Sequence, residues 1–383
     1  MTDHMPDDLS ATGKDMRAYT DALRPHHGVV RNVHGEWVLL AHPLVVQAAL
    51  NDEQFSSAVS RYLQVPNGMD SAEHTAYREA LDPFLTPEAL APFHEDFRQV
   101  ASDLVASLPK GVAVDAVSRI GVRFAVRAQS IWLGWPADLE DHLVNWVAEN
   151  HAATRSGEQH RIREVAESFD ALIHSVLGPR RNDVREGDAN DVTAQLMQTK
   201  VQGRLLTDAE IVSVLRNWTG GDLGSIAQCV GVLVHYLATH PALQEQLRAG
   251  VPDAEFDAII DEILRIDSPF LSNRRITTCP VTIGNVTLPQ GARIKLNWTS
   301  ANRDEAVFGN PDTLDPARNA DQNLVYGIGR HVCPGRLLAT LEMRIALQEL
   351  LASTSSITLD PQQPAERAAA PVGGWAKVAV VLA

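Results

Sequence analysis

Tyr326-Gly327-Ile328-Gly329-Arg330-His331-Val332-Cys333-Pro334-Gly335 is the stretch on which the reading of this chain turns. It sets one cysteine between a glycine-rich bend and a run, Leu337, Leu338, Leu341 and Ile345, with helical spacing. The two glycines ahead of the cysteine accept positive φ and let backbone N–H groups close on the sulfur. The helix behind it presents free N–H donors and partial positive charge at its N-terminus, which favours a thiolate. A thiolate held this way can ligate iron. A lone cysteine at a helix start is otherwise a small buried residue. Zinc is the weaker metal reading, because a structural zinc needs four ligands and no second Cys/His pair stands near His331 and Cys333.

Outward from this run, the chain of 383 residues has the composition of a globular protein, 45% hydrophobic and 21% charged. Its net charge of −15 argues against a general binder of nucleic acid or of anionic membranes. Cys229, Cys279 and Cys333 lie far apart, which argues against a disulfide framework and fits a reducing cytoplasm. The first residues lack the charged and apolar regions of a signal peptide. The longest apolar stretch, Ile226 to Ala238, includes Gln228 and His235 and falls short of the ~20 residues that span a bilayer. It predicts a buried core helix and no membrane association.

Periodicity predicts a mainly helical single domain, residues 1–383, with small β-sheets and residues 1–18 as a flexible tail. Val29–Val33 and Trp37–Leu40 read as a hairpin, and Val281–Leu288 as a second one around Gly284-Asn285. Arg293–Asn297 is expected to extend that second hairpin. Helical patterns fill Pro87 to Arg265, broken by a polar loop near 180–191. Residues 300–324 read as loop, and short strands close the chain near Ile357–Leu359 and Ala376–Leu382.

Three further groups carry possible chemistry. Glu262 and Arg265 are spaced to pair on a helix; alone they describe a solvated face. His74 and Arg78 share a helical face and suit two carboxylates of a ligand, or else form a surface pair. Trp218-Thr219-Gly220-Gly221-Asp222-Leu223-Gly224-Ser225 interrupts an apolar helix, which suits a flat ligand approaching closely or tight helix packing.

Together these residues resemble the cytochrome P450 superfamily of haem-thiolate monooxygenases, in its soluble bacterial members, along nearly the whole chain. The Cys333 run is similar to the family's haem loop, and Glu262-x-x-Arg265 to its E-x-x-R helix. Ala301-Asn302-Arg303-Asp304 and Asp315-Pro316-Ala317-Arg318 are similar to its meander. The resemblance implies a haem b group (iron protoporphyrin IX) between a long central helix and the helix after the cysteine loop. Cys333 would be the axial iron ligand. His331, Arg275, His74 and Arg78 would bind the propionates, and Glu262, Arg265 and Arg318 would form a buried ion-pair network.

The central helix departs from the family's pattern. Counting back from His240-Pro241 sets Ser225 at the position of the usual alcohol and Gly224 at that of the usual acid. Asp222 and Ser225 are the residues expected to supply the protons that turn one atom of O2 into water. The substrate pocket is expected to involve Val65–Met69, Asn217, Trp218, Gly221, Phe270, Leu271, Gly373, Gly374 and Trp375. Asn217 would orient a substrate oxygen or else be a satisfied core amide.

The implied activity is insertion of one oxygen atom into a small, largely apolar organic molecule by hydroxylation, O-dealkylation or epoxidation. No flavin, iron–sulfur or nucleotide-binding signature is present. Electrons are therefore expected from a separate ferredoxin and its NAD(P)H-dependent reductase; Arg330 and Arg336, which flank Cys333, are candidates for its docking patch, or else ordinary surface or propionate-facing arginines. A peroxide-using peroxygenase is the nearest alternative, motivated by Gly224; a haem sensor without turnover is the third.

Overall fold

The computed structural model describes residues 15–186, 190–370 and 372–383. In chain order, α1 (Met16–Leu23) precedes the hairpin β1 (Val29–Arg31) and β2 (Trp37–Leu39) and the short strand β3 (Phe55–Ser56). Next come α2 (Ser71–Leu81), α3 (His94–Ser107), β4 (Ala113–Asp115), α4 (Arg123–Leu133), α5 (Glu140–Ser156) and α6 (Gln159–Glu186). Then α7 (Asp208–Arg216), α8 (Asp222–Thr239) and α9 (Asp253–Ile266) lead to β5 (Ser272–Thr277). The hairpin β6 (Val281–Ile283) and β7 (Val286–Leu288) and the strand β8 (Arg293–Asn297) follow. The chain ends with α10 (Arg336–Ala352), β9 (Ile357–Leu359) and β10 (Ala379–Leu382).

Helix α8 is the axis of the core. Every residue from Ile226 to Val234 is buried, Gln228 and Cys229 included, as a helix apolar on all sides requires. It lies against the π-helical turn Ala116–Val122 that precedes α4. Gly121 makes that approach possible, because a Cβ there would fall 2.6 Å from the carbonyl oxygen of Ala227. Helix α10 packs on α3 and α9 through Leu338, Leu341 and Ile345, while Leu337 stays exposed. Among the described residues, no single helix is long and apolar enough to cross a membrane.

Strand pairing departs from expectation at β8. It joins the first hairpin, in the order β1-β2-β8-β5-β3, and leaves β6 and β7 as a separate pair. Its alternation decides this: Ile294 and Leu296 point into the same small core as Leu39 and Phe55. A second sheet, β9-β10-β4, ties the C-terminus to the middle of the chain.

Three other expectations change. Residues 15–18 are no tail: α1 begins at Met16, Arg17 lies 3.5 Å from Asp267, and Arg24 donates to the carbonyl of Ser300 at 2.8 Å. Residues 1–14 lie outside the described residues. Helix α6 continues through Pro179 to Glu186, and Arg180 holds Asp191, the N-cap of the next helix, at 2.8 Å. The expected loop thus shrinks, and its residues 187–189 lie outside those described. Within 300–324, Asp304 and Asp315 cap short helices at Glu305–Phe308 and Pro316–Asn319.

Candidate functional site

The cysteine loop is fastened at both ends. Gly327 and Gly329 take φ of 72° and 73°, and the Cys333 N–H donates to the carbonyl of Tyr326 at 2.8 Å. The Tyr326 hydroxyl meets Thr340 Oγ1 of α10 at 2.9 Å, and the Arg336 guanidinium lies over its ring. From α2, Arg78 donates to the carbonyl of Val332 at 3.0 Å while pairing with Asp82.

The thiol itself is not depressed as the helix start suggests. Burial, and then the charge of Asp222, push Cys333 up to about 11. Removing an anion's hydration outweighs the helix terminus here. Only a cation at the sulfur would reverse that balance, because a metal-coordinating thiol gives up its proton outright.

Beside the loop lie a buried arginine without a carboxylate partner and two neighbouring imidazoles. Arg275 of β5 is buried, and burial lowers its pKa. Among the described residues it has no carboxylate partner; it donates to the carbonyl of Arg274 at 2.9 Å. His74 is buried with Nδ1 unpartnered, and its ring centroid is 4.2 Å from that of His331. His331 Nε2 meets Ser57 Oγ at 3.1 Å. Burial, with the nearby cations, pulls both imidazoles down to about 4. At neutral pH they are hydrogen-bonding groups rather than charges until an anion arrives. Asp52 and Asp70 stand near His331, yet Asp52 pairs with Arg330 at 2.9 Å and Asp70 accepts from the Ser57 N–H at 2.8 Å.

Above the cysteine, α7 and α8 are joined by a π-helical turn, Asn217–Gly221. A Cβ on Gly221 would touch nothing within 4 Å, so this central backbone borders open space. The Ser225 hydroxyl donates to the Gly221 carbonyl at 2.6 Å, across the opened turn. Asp222 is half-buried by surface area, but the protein around it raises its carboxyl to about 7. A buried unpaired arginine, two imidazoles, a thiol and an opened helix turn fit a flat, metal-bearing ligand with carboxylates.

Glu262 and Arg265 are buried and joined in two hydrogen bonds of 2.8 and 2.9 Å. The expected third partner changes identity. Arg318 is exposed, and the residue beside it, Asn319, turns inward and donates to Glu262 Oε1 at 2.6 Å. A one-residue phase of the short helix Pro316–Asn319 makes the difference.

Several expected pocket residues are committed elsewhere. Trp218 is buried between Phe84 and Trp132, with ring centroids at 5.4 and 5.1 Å. Trp375 stacks on His235 at 4.0 Å, with Arg367 over its other face at 3.6 Å. Val65 and Met69 belong to the main core, and Asn217 donates to the Val65 carbonyl at 2.7 Å, a satisfied amide. Leu271 is buried, Phe270 is exposed, and the backbone of Gly373 packs on Ser268. Arg330 and Arg336 are already paired, with Asp52 and Asp261. Sequence reasoning missed Asn319 and Ser57, neither of which stands in a motif.

The family model described as "Cytochrome P450" matches residues 154–367. The cyclomarin C epoxidase of Salinispora arenicola is 26% identical over 359 residues, which cover 90% of each chain. The erythromycin C-12 hydroxylase of Saccharopolyspora erythraea is 26% identical over 88% of this chain and 87% of its own. Among solved structures, the open cytochrome P450 Eryk of S. erythraea superposes with a TM-score of 0.85 at 25% identity, covering 98% of both chains.

Proposed function

The chain belongs to the cytochrome P450 family of monooxygenases, and we propose that it inserts one oxygen atom of O2 into a small, largely apolar organic substrate. Hydroxylation, O-dealkylation and epoxidation are the reactions in view. The observation that carries this reading is a buried arginine and histidine, Arg275 and His74, beside His331 of the Cys333 loop, together with the open space at the Gly221 turn. When bound, haem supplies the redox chemistry that activates O2.

The chain's own residues would do the rest. Cys333 Sγ would hold the iron after losing its proton. Arg275, His74, His331 and Arg78 would bind and orient the two carboxylates, and Arg275 would gain the counter-charge it lacks. Balancing the reaction requires two electrons and two protons for each O2, one oxygen entering substrate and the other leaving as water. Asp222 and Ser225 are the groups of α8 that would move those protons. An acid near pKa 7 serves this task well, because it both gives and regains a proton at neutral pH.

Electrons would come from a ferredoxin and its NAD(P)H-dependent reductase in the cytoplasm. Because Arg330 and Arg336 are paired, a docking partner would compete with Asp52 and Asp261 for them. The deciding experiment is the absorption spectrum of the reduced, CO-bound protein. A thiolate-type band supports the reading, and a histidine-type or absent band in freshly purified, haem-loaded protein rejects it. Turnover with peroxide but none with O2 and an electron-transfer chain would select a peroxygenase instead.

A further inference from the structure

Gly224 has a neighbour that its own helix does not supply. A Cβ built on Gly224 would fall 2.8 Å from Nε2 of His151 and 3.6 Å from its Cε1. The imidazole of α5 therefore occupies the volume that a side chain at 224 would need. Four residues earlier, a Cβ on Gly220 would fall 2.8 Å from the ring of Trp146, also on α5. Two glycines one turn apart thus let α5 lay two rings on the backbone of the π-helical turn and the first turn of α8. Trp146 is fixed there: it stacks on Phe169 at 4.0 Å and its Nε1–H donates to the Val165 carbonyl at 3.0 Å. This anchoring holds α5, and His151 with it, against α8.

The next residue along α8 is Ser225, whose own proton goes to the Gly221 carbonyl. Its oxygen lone pairs are left to accept. The imidazole over Gly224, one residue away along the helix, is the side chain best suited to exchange a proton near neutrality. We propose that His151 is a positioning residue for this reaction: its Nε2 proton passes to Ser225 Oγ as the Ser225 hydroxyl turns from the Gly221 carbonyl and hands its own proton on to the oxygen that leaves as water, and the imidazole regains a proton from solvent. It stands in for the side chain missing at Gly224. This rests on the haem-thiolate reading given above. Asp222, one turn earlier, would be the second acid–base group of the relay, and the two arrive from different helices.

The test uses the full, haem-loaded chain with three variants: His151→Phe, His151→Gln and Gly224→Asp. In the ferrous, CO-bound protein labelled with 15N-histidine, the signal lost in His151→Phe identifies residue 151. Gly224→Asp should raise the pKa of that signal by about one unit or more, because a carboxylate within ~4–6 Å favours the imidazolium. A signal indifferent to Gly224→Asp overturns the proposal. With any compound that shifts the haem spin state and is turned over, His151→Phe should raise peroxide released per reductant roughly tenfold. His151→Gln, which keeps a donor, should recover part of that loss. Unchanged peroxide release in both variants, with a normal CO band, overturns the role of His151 alone. An abnormal CO band in the unmodified chain overturns the reading beneath it.

Discussion

Glu262 and Arg265, one turn apart on α9, meet in hydrogen bonds of 2.8 and 2.9 Å with neither side chain more than 2% exposed. Around the pair every partner is a fixed group. Arg265 donates to the carbonyls of Asn302 at 2.7 Å and Pro311 at 3.1 Å, and Asp315 N–H donates to Glu262 Oε1 at 3.1 Å. The pair therefore pins the 300–324 segment, and with it the approach to the cysteine loop. A solvated surface pair could not do this.

Removing one partner should leave a buried charge uncompensated. Glu262→Ala is expected to lose about 3–5 kcal/mol in urea unfolding. Asn319→Ala should lose about 1.5–3 kcal/mol, since it removes a buried hydrogen bond to a charged carboxylate, one of three donors to Glu262 Oε1. Arg318→Ala should stay within about 0.5 kcal/mol of the unmodified chain. Equal effects of the Asn319 and Arg318 substitutions would reject the assignment of Asn319.

Arg275 makes opposite predictions for the two forms of the protein. In haem-free chain, Arg275→Leu removes a buried cation without a carboxylate partner, so stability should hold or rise. In loaded protein the same change should release haem to a scavenging apoprotein roughly tenfold faster, by loss of a charge-assisted bond of about 1.5 kcal/mol. A haem-loss rate equal to that of the unmodified chain would show that Arg275 holds no carboxylate.

Asp222 predicts a pH dependence. Its folded pKa is raised by burial from 3.8 to about 7. Between these values the unfolded chain is ionised while the folded chain keeps its proton. Its contribution is fully present below pH 3.8 and is lost as pH rises through 7. Asp222→Asn should flatten that limb and leave the haem-free chain more stable than the unmodified one at pH 8. Parallel curves for the two chains from pH 4 to 8 would contradict the shift.

His235 predicts the opposite slope. Burial lowers it from 6.5 to about 4, with its ring against Trp375. Its contribution is present above pH 6.5 and is lost as pH falls through 4. His235→Phe should remove this part of the acid limb, and Trp375→Ala should destabilise by about 3–5 kcal/mol at pH 7. If Trp375→Ala unfolds like the unmodified chain, the ring lies outside the core.

Much of the site was legible because its parts are local. The bend at Gly327 and Gly329, the cysteine after it and α10 behind it follow from residues within one or two turns of each other. The pairing of Glu262 with Arg265 follows from the helical period, and both hairpins from alternation about a turn. Burial was less legible. Trp218 and Trp375 read as pocket residues because large aromatics suit a pocket as well as a core. Which one they serve depends on Phe84, Trp132 and His235, none of them neighbours in sequence.

The sequence by itself determined the family, the helical architecture and the bend that holds Cys333, since each rests on short-range spacing that the backbone periods translate directly into geometry. Tertiary structure alone decided that Asn319 rather than Arg318 meets Glu262, and that β8 joins the first sheet. It alone decided that burial keeps Cys333 protonated and that His151 fills the space over Gly224. These are matters of which distant surfaces share one small volume, and of how much water that volume excludes. Spacing along the chain encodes neither.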